Sequence, residues 1–272
     1  MTETQDLSVT KRAKFLNPPV NEVVIAVYHL PITELRTQHI GLYWQQIHGK
    51  YPICEQQSPV VSEDDSSIFK NMPGEVFPLP RFWFSSSAHP MLIQVQRNAF
   101  MLNWRRLQNN VDYPHYETVQ KEFWNEMEIY KAFIQDCVGA KLDVVNRCEL
   151  TYINVITRNE FFSTHAEIKN VLPSIEGFCN LENDARHLAG LNATAVYRVN
   201  DNLLVDMVTK LGRRKDATKE EIAILEIKAH GSPVDLSLGE ARNWYEAAHE
   251  AVNETFLTFT DDRVQKEVWK RV

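Results

Sequence analysis

Residues 116–137 read YETVQKEFWNEMEIYKAFIQDC, and residues 238–259 read LGEARNWYEAAHEAVNETFLTF. In the first stretch Tyr116, Val119, Phe123, Met127, Tyr130, Ile134 and Cys137 recur at steps of three and four, the stripe of a long amphipathic helix with one buried face. In the second, Leu238, Ala241, Tyr245, Val252, Phe256 and Phe259 each lie 122 positions after a member of the first set. His249 stands where the counterpart of Met127 would fall, so the repeat is imperfect, but the shared register points to an internal duplication.

Working outward, each stripe follows three strand-like segments. They are Arg81–Ser85, Met91–Arg97 and Phe100–Leu107 in the first half, and Thr194–Val199, Leu203–Lys210 and Ile222–His230 in the second. A buried strand at Glu22–Tyr28 and a helical face over Thr33–His48 open the first half. A strand at Arg147–Thr157 and a helical or irregular stretch over His165–Leu188 open the second. Cys54–Pro80, rich in Pro, Ser, Glu and Asp, reads as a long surface loop. The expected fold is therefore α+β: two β-α-β-β-β-α units that join edge to edge into a curved antiparallel sheet with both long helices on one face. By analogy this is the saddle of the TATA-binding-protein fold or of the helix-grip group. The boundaries read as a flexible leader at 1–17, a first repeat at 18–140 and a second at 141–272.

The chain has 272 residues, 44% of them hydrophobic and 24% charged, the balance of a globular protein rather than a disordered one. No apolar run approaches the roughly 20 residues that span a bilayer, and Met1–Lys14 has no apolar signal core, so a cytoplasmic protein without a membrane partner is expected. The formal charge of −7 disfavours a nucleic-acid backbone as ligand unless a local patch acts against the overall field. Cys54, Cys137, Cys148 and Cys179 form no close pair of the kind that holds zinc, and they read as free thiols.

Common chemistries are missing. Nine glycines include neither a dinucleotide-binding string nor a P-loop, so no cofactor is expected. His249-Glu250 lacks the second histidine of a zinc protease, because position 253 is Asn. Ser85-Ser86-Ser87 lacks the glycines of a nucleophile elbow and reads as a polar turn. His29, His39 and His48 are not spaced as a metal pair, and Glu63-Asp64-Asp65 reads as a solvated loop, so no metal is expected either. Arg213, Arg214 and Lys215 sit between two strands, either as phosphate contacts or as a solvated hairpin tip.

Polarity inside the strands is the most informative feature. Period two sends Leu92, Gln94 and Gln96 to one face, Met101, Asn103 and Arg105 together, and Glu149, Thr151 and Ile153 together. Either these groups form a solvated face, with an Arg105–Glu149 pair, or they line a recognition surface to which Trp83 and Trp104 add flat contact area. Amides and arginine read donors and acceptors but are poor general acids and bases, so the second alternative favours binding over catalysis.

Several short strings recur together. They are Pro18-Pro19 followed by Glu22-Val23; His39-Ile40-Gly41 with Trp44; Tyr51-Pro52; Arg81-Phe82-Trp83-Phe84; Leu92-Ile93-Gln94-Val95-Gln96; Asn103-Trp104-Arg105; Tyr113-Pro114-His115-Tyr116; and Cys148-Glu149-Leu150-Thr151-Tyr152-Ile153-Asn154. Jointly they resemble an uncharacterised, sporadically distributed bacterial family that opens with a Pro-Pro-x-x-Glu-Val signature, over nearly the whole chain. The resemblance implies a bacterial or phage-related origin and the patchy distribution of mobile-element and defence-associated genes. It brings no activity or catalytic residue with it.

The leading expectation is a non-catalytic recognition protein that binds a partner protein or small ligand through Trp83, Gln94, Gln96, Asn103, Trp104, Arg105 and Glu149, as a subunit of a defence or toxin-antitoxin-like system. The first alternative is an RNA- or DNA-binding protein that sets Arg81, Arg97, Arg105 and Arg106 against phosphates. The second is an enzyme whose groups meet only in three dimensions, such as Glu149 with His39. Homo-oligomerisation is left open.

Overall fold

A computed structural model describes residues 13–60, 78–107, 112–180 and 188–272. Glu63-Asp64-Asp65 lies outside these residues. The elements are β1 (Val20–His29), α1 (Thr37–Ile47), β2 (Ile53–Gln57), β3 (Arg81–Ser85), β4 (Met91–Gln96), β5 (Ala99–Arg105) and α2 (Tyr116–Phe133), which runs into a π-helical turn at Ile134–Val138. They continue with β6 (Val145–Ile156), two 3-10 turns at His165–Asn170 and Pro173–Ile175, α3 (Glu176–Cys179), β7 (Leu191–Asn200), β8 (Leu203–Arg213), β9 (Glu221–Gly231), α4 (Leu238–Phe259) and α5 (Asp262–Glu267).

All nine strands of the described residues belong to one antiparallel open sheet, in the order β2-β3-β4-β5-β1-β6-β9-β8-β7. The central pair is β1 with β6, where Ile25 faces Leu150 and Val27 faces Cys148. In β1, Val23, Ile25 and Val27 are fully buried towards the helices, as period two requires of one strand face. The alternation is cleanest in β8 and β9, where every second residue is buried from Leu203 to Leu211 and from Ala223 to Ala229. In β4 every residue is buried, and only Arg105 of β5 is not, so these strands are covered on both faces.

Both long helices lie on the same face. The α2 stripe puts Phe123 and Tyr130 against Phe100, with ring centroids 5.9 and 5.0 Å apart. Tyr116 Oη donates to the Tyr245 carbonyl (3.1 Å), and Tyr245 Oη donates to the Ala26 carbonyl (2.6 Å), which ties α2, α4 and β1 together. The helix α4 starts where Ser237 Oγ accepts from the Glu240 amide (3.1 Å), an N-cap that satisfies one orphan donor. Gly139 closes the π-turn at φ 77°, a left-handed conformation that costs a glycine nothing. At the end of β9 a side chain on Gly231 would meet the Asn202 carbonyl oxygen at 2.0 Å, so only glycine fits that approach.

Two sequence expectations change. Cys54–Gln57 is not loop but, with Ile53, the outermost strand, pairing with β3 from Ile53↔Ser85 to Gln57↔Arg81. Its side chains are exposed or half-buried, so no hydrophobic alternation marks it. Of the expected leader at 1–17, residues 1–12 lie outside the described residues, and residues 14–17 do not hang free. Phe15 bridges to Arg271, the Leu16 amide donates to the Lys270 carbonyl (3.1 Å) and the Asn17 amide to the Trp269 carbonyl (3.0 Å). Among the described residues no helix is long and apolar enough to cross a membrane.

Candidate functional site

Strand pairing fixes which side chains share the face opposite the helices. One row across it reads Glu55, Trp83, Gln94, Met101, Ala26, Glu149, His230, Leu204 and Arg198. The next contains Asn103, Val24, Thr151, Lys228, Asp206 and Val196. Trp83, Gln94, Gln96, Asn103, Arg105 and Glu149 therefore stand on one face, as their spacing predicts. Trp104 points the other way into the helix-covered core, fully buried against Tyr113 at 5.2 Å between ring centroids.

The polar groups of the first half are sealed rather than solvated. Gln94, Gln96 and Asn103 are buried, at 4%, 2% and 4% exposure. Arg81 Nη1 (2.7 Å) and Trp83 Nε1 (2.8 Å) donate to Gln94 Oε1, Gln94 Nε2 donates to Asn103 Oδ1 (2.6 Å), and Asn103 Nδ2 donates to Glu22 Oε1 (2.6 Å). The chain runs from a guanidinium to a carboxylate with both amide dipoles aligned, so each bond polarises the next. Flipping either amide would set donor against donor. Gln96 makes a second anchor: its amide exchanges hydrogen bonds with the backbone of Val60 (2.9 and 3.1 Å) and donates to Asn98 Oδ1 (2.7 Å). Val60 packs on Ala26, Tyr28, Ala99 and Met101, a small apolar cluster on this face.

Glu149 accepts from Arg147 Nη2 (3.3 Å) and Thr151 Oγ1 (3.2 Å), both on its own strand, in place of the expected Arg105. Arg105 stands opposite Glu22, and its Nε is buried with no hydrogen-bond acceptor among the described residues. The side chain of Arg147 lies over the Tyr28 ring at 5.4 Å.

The same face of β6, β9, β8 and β7 is accessible. Asp206 accepts from His230 Nε2 (2.9 Å) and pairs with Lys228 (3.0 Å). Partial burial pushes its carboxyl up, and those two partners more than offset this and hold it below the usual carboxylate range. The sheet ends at β7, a ten-residue edge strand on which Val196, on this face, is 61% exposed, Tyr197, turned to the helix side against Phe259 at 5.7 Å between ring centroids, is 43% exposed, and Val199, at a bulge, is 52% exposed.

On the helix side, a cavity of about 90 Å³ opens between the start of α2, the middle of α4 and residues 13–18. Tyr113, Tyr116, Tyr152, His115 and His249 converge on it. Short, non-repeating strings such as Tyr113-Pro114-His115-Tyr116 carry no periodicity, so sequence patterning did not single them out as a site. Comparison of the chain with protein-family models, curated proteins and solved structures finds no match.

The basic tip is neutralised by its own hairpin. Arg213 pairs with Glu221 (2.7 Å), and Arg214 with Glu220 (3.2 Å), while Lys215 stays exposed. Arg106 donates to the carbonyls of Val20 (3.1 Å) and Pro18 (3.3 Å). His39 and Glu149 do not meet. His39 accepts from the Arg36 amide (3.1 Å) at the start of α1, which packs on the helix side through Tyr43 and Phe84, whereas Glu149 faces away. Ser86 Oγ accepts from the Ala88 amide (3.1 Å), a local turn bond. No group of three His, Cys, Asp or Glu side chains among the described residues is placed to hold a metal.

Proposed function

We propose that the chain is a non-catalytic recognition protein whose partner is a protein that docks on the accessible half of the sheet, at β7 and the adjoining face of β8 and β9. The observation that carries this reading is the unequal treatment of the two sheet edges. The strand β2 has five residues, lies between Pro52 and Pro59 and carries Glu55, the usual protections of an edge. The strand β7 has twice that length, no proline, a single charge at Arg198 and three exposed apolar side chains. An edge of that kind, which no strand covers among the described residues, is suited to accept an added strand.

The order of strands outward from the centre, β1-β5-β4-β3 on one side and β6-β9-β8-β7 on the other, supports two duplicated halves, with β2 an addition to the first. A saddle related to the TATA-binding-protein fold or the helix-grip group is part of the same reading, as is a place in a bacterial defence or toxin-antitoxin-like system, which rests on the resemblance in the short strings. Nucleic acid is the weaker alternative, because Arg213 and Arg214 are already paired with carboxylates.

The test is native mass spectrometry of the tagged protein isolated gently from its host, beside a Val196→Lys variant. A co-purifying protein that is lost from the variant is the expected result. A protein retained by the variant, or nucleic acid in its place, refutes the docking site.

A further inference from the structure

We propose that the strand added to β7 is β7 of a second copy of this chain, paired antiparallel about a two-fold axis through Val196. The inference rests on the reading that β7 is a docking edge, and it names what docks there.

The strand is complementary to itself. It reads LNATAVYRVN, with the small Ala193, Thr194 and Ala195 before Val196 and the larger Tyr197, Arg198 and Val199 after it. A two-fold axis perpendicular to the sheet runs the two strands antiparallel and keeps each face on its own side. With Val196 on that axis, Tyr197 meets Ala195 of the second copy and Arg198 meets Thr194, so each large side chain faces a small one. The pairing of β7 with β8 is regular from Leu191 to Arg198, so the backbone over Thr194–Arg198 is free of the bulge that follows.

Charge and exposure agree with this register. Arg198 is the one charge on the strand, and it stands opposite a threonine hydroxyl rather than a second arginine. Asp206, beside Val196 on β8, is already paired with Lys228 and His230, so neither copy brings an unpaired carboxylate to the axis. Val196, 61% exposed on the open face, meets its own twin, and both leave water. On the helix side Tyr197, held against Phe259, covers Ala195 of the second copy.

The assembly closes at two. Both copies use the same edge, which makes the pairing isologous. The opposite edge, β2, is short and lies between Pro52 and Pro59, so further copies do not add there.

Sedimentation equilibrium of the full chain tests the assignment, with a dimer that dissociates on dilution as the expected result. Val196→Lys sets two lysines face to face and should weaken association roughly tenfold or more, since each dimer carries the change twice. Thermal unfolding of the variant checks that the exposed substitution leaves the fold intact. With the exposed Cys54 and Cys137 replaced by serine, Val196→Cys should give a disulfide-linked dimer under mild oxidation, and Thr194→Cys, which faces Arg198, should not. A monomer at every concentration, a dimer that Val196→Lys leaves intact, or equal linkage from both cysteines overturns the proposal. A monomer that captures a different protein through Val196 removes the second copy and leaves the docking edge standing. A dimer or a captured protein indifferent to Val196→Lys removes both.

Discussion

Replacing Gln94 by leucine tests whether the strand amides form a structural chain or a solvated surface. The substitution keeps the approximate bulk and removes one acceptor and one donor from a side chain that is 4% exposed. Arg81 and Trp83 are only half-buried and can turn in part to water, but Asn103 Oδ1 loses its donor inside a sealed site. A buried acceptor left unpaired costs about 1–3 kcal/mol, and a lost bond to a charged donor about as much again where water does not replace it. The expected loss is about 3 kcal/mol, a fall in Tm of roughly 6–12 °C for a chain of this length. Asn103→Leu should cost about as much, because it strands Glu22 Oε1 and Gln94 Nε2. The double variant removes both partners together and should fall short of the sum by about 1–2 kcal/mol. Urea unfolding followed by tryptophan fluorescence measures all three. Single losses within about 0.5 kcal/mol, or strict additivity, refute the chain of polarised amides and restore a solvated face.

Two further outcomes check other parts of the structure. Burial holds His29 down to about 4 from 6.5, and its neutral ring bonds the Leu30 carbonyl (2.8 Å). Its folded pKa lies below its unfolded one, so its contribution is whole above pH 6.5 and is lost as pH falls through 4, about 3 kcal/mol in all. His29→Leu should flatten that part of the urea-midpoint profile, and parallel profiles would refute it. Cys54 and Cys137 are exposed while Cys148 and Cys179 are buried, with burial pushing the Cys148 thiol up to about 12. A thiol reagent at pH 8 should therefore titrate two groups in the native protein and four in urea, and four fast groups in the native protein would contradict the packing.

The amphipathic stripes at 116–137 and 238–259 and the alternation in β8 and β9 were legible because each element buries one face against a common core, and burial writes its period into the sequence. What escaped was set by neighbours distant in the chain. Gln94 and Asn103 read as polar positions on a strand, but only the register of β3, β4, β5 and β1 lines them up between Arg81 and Glu22. Trp104 sits one residue from Asn103 and so faces the opposite side. The Arg213-Arg214-Lys215 string advertises charge, yet Glu220 and Glu221 return on the next strand to pair with it. The cavity joins Tyr113, Tyr152 and His249 from three separate elements, and no local pattern announces such a meeting.

The two ends of the sheet face also argue about where recognition belongs. A side chain whose hydrogen bonds are all spent on its neighbours has little left to offer a ligand, and exposing it to bind would break the chain from Arg81 to Glu22. The amides that looked most like a reading surface are thus the ones least able to read. On β8 and β9 the charged groups are paired but accessible, and on β7 the outward backbone N–H and C=O groups have no strand to meet among the described residues. A partner strand on β7 would satisfy them without displacing any existing bond, and Val196, Tyr197 and Val199 would leave water in the same step. On the proposed reading, the free energy available to a partner therefore lies at the β7 edge.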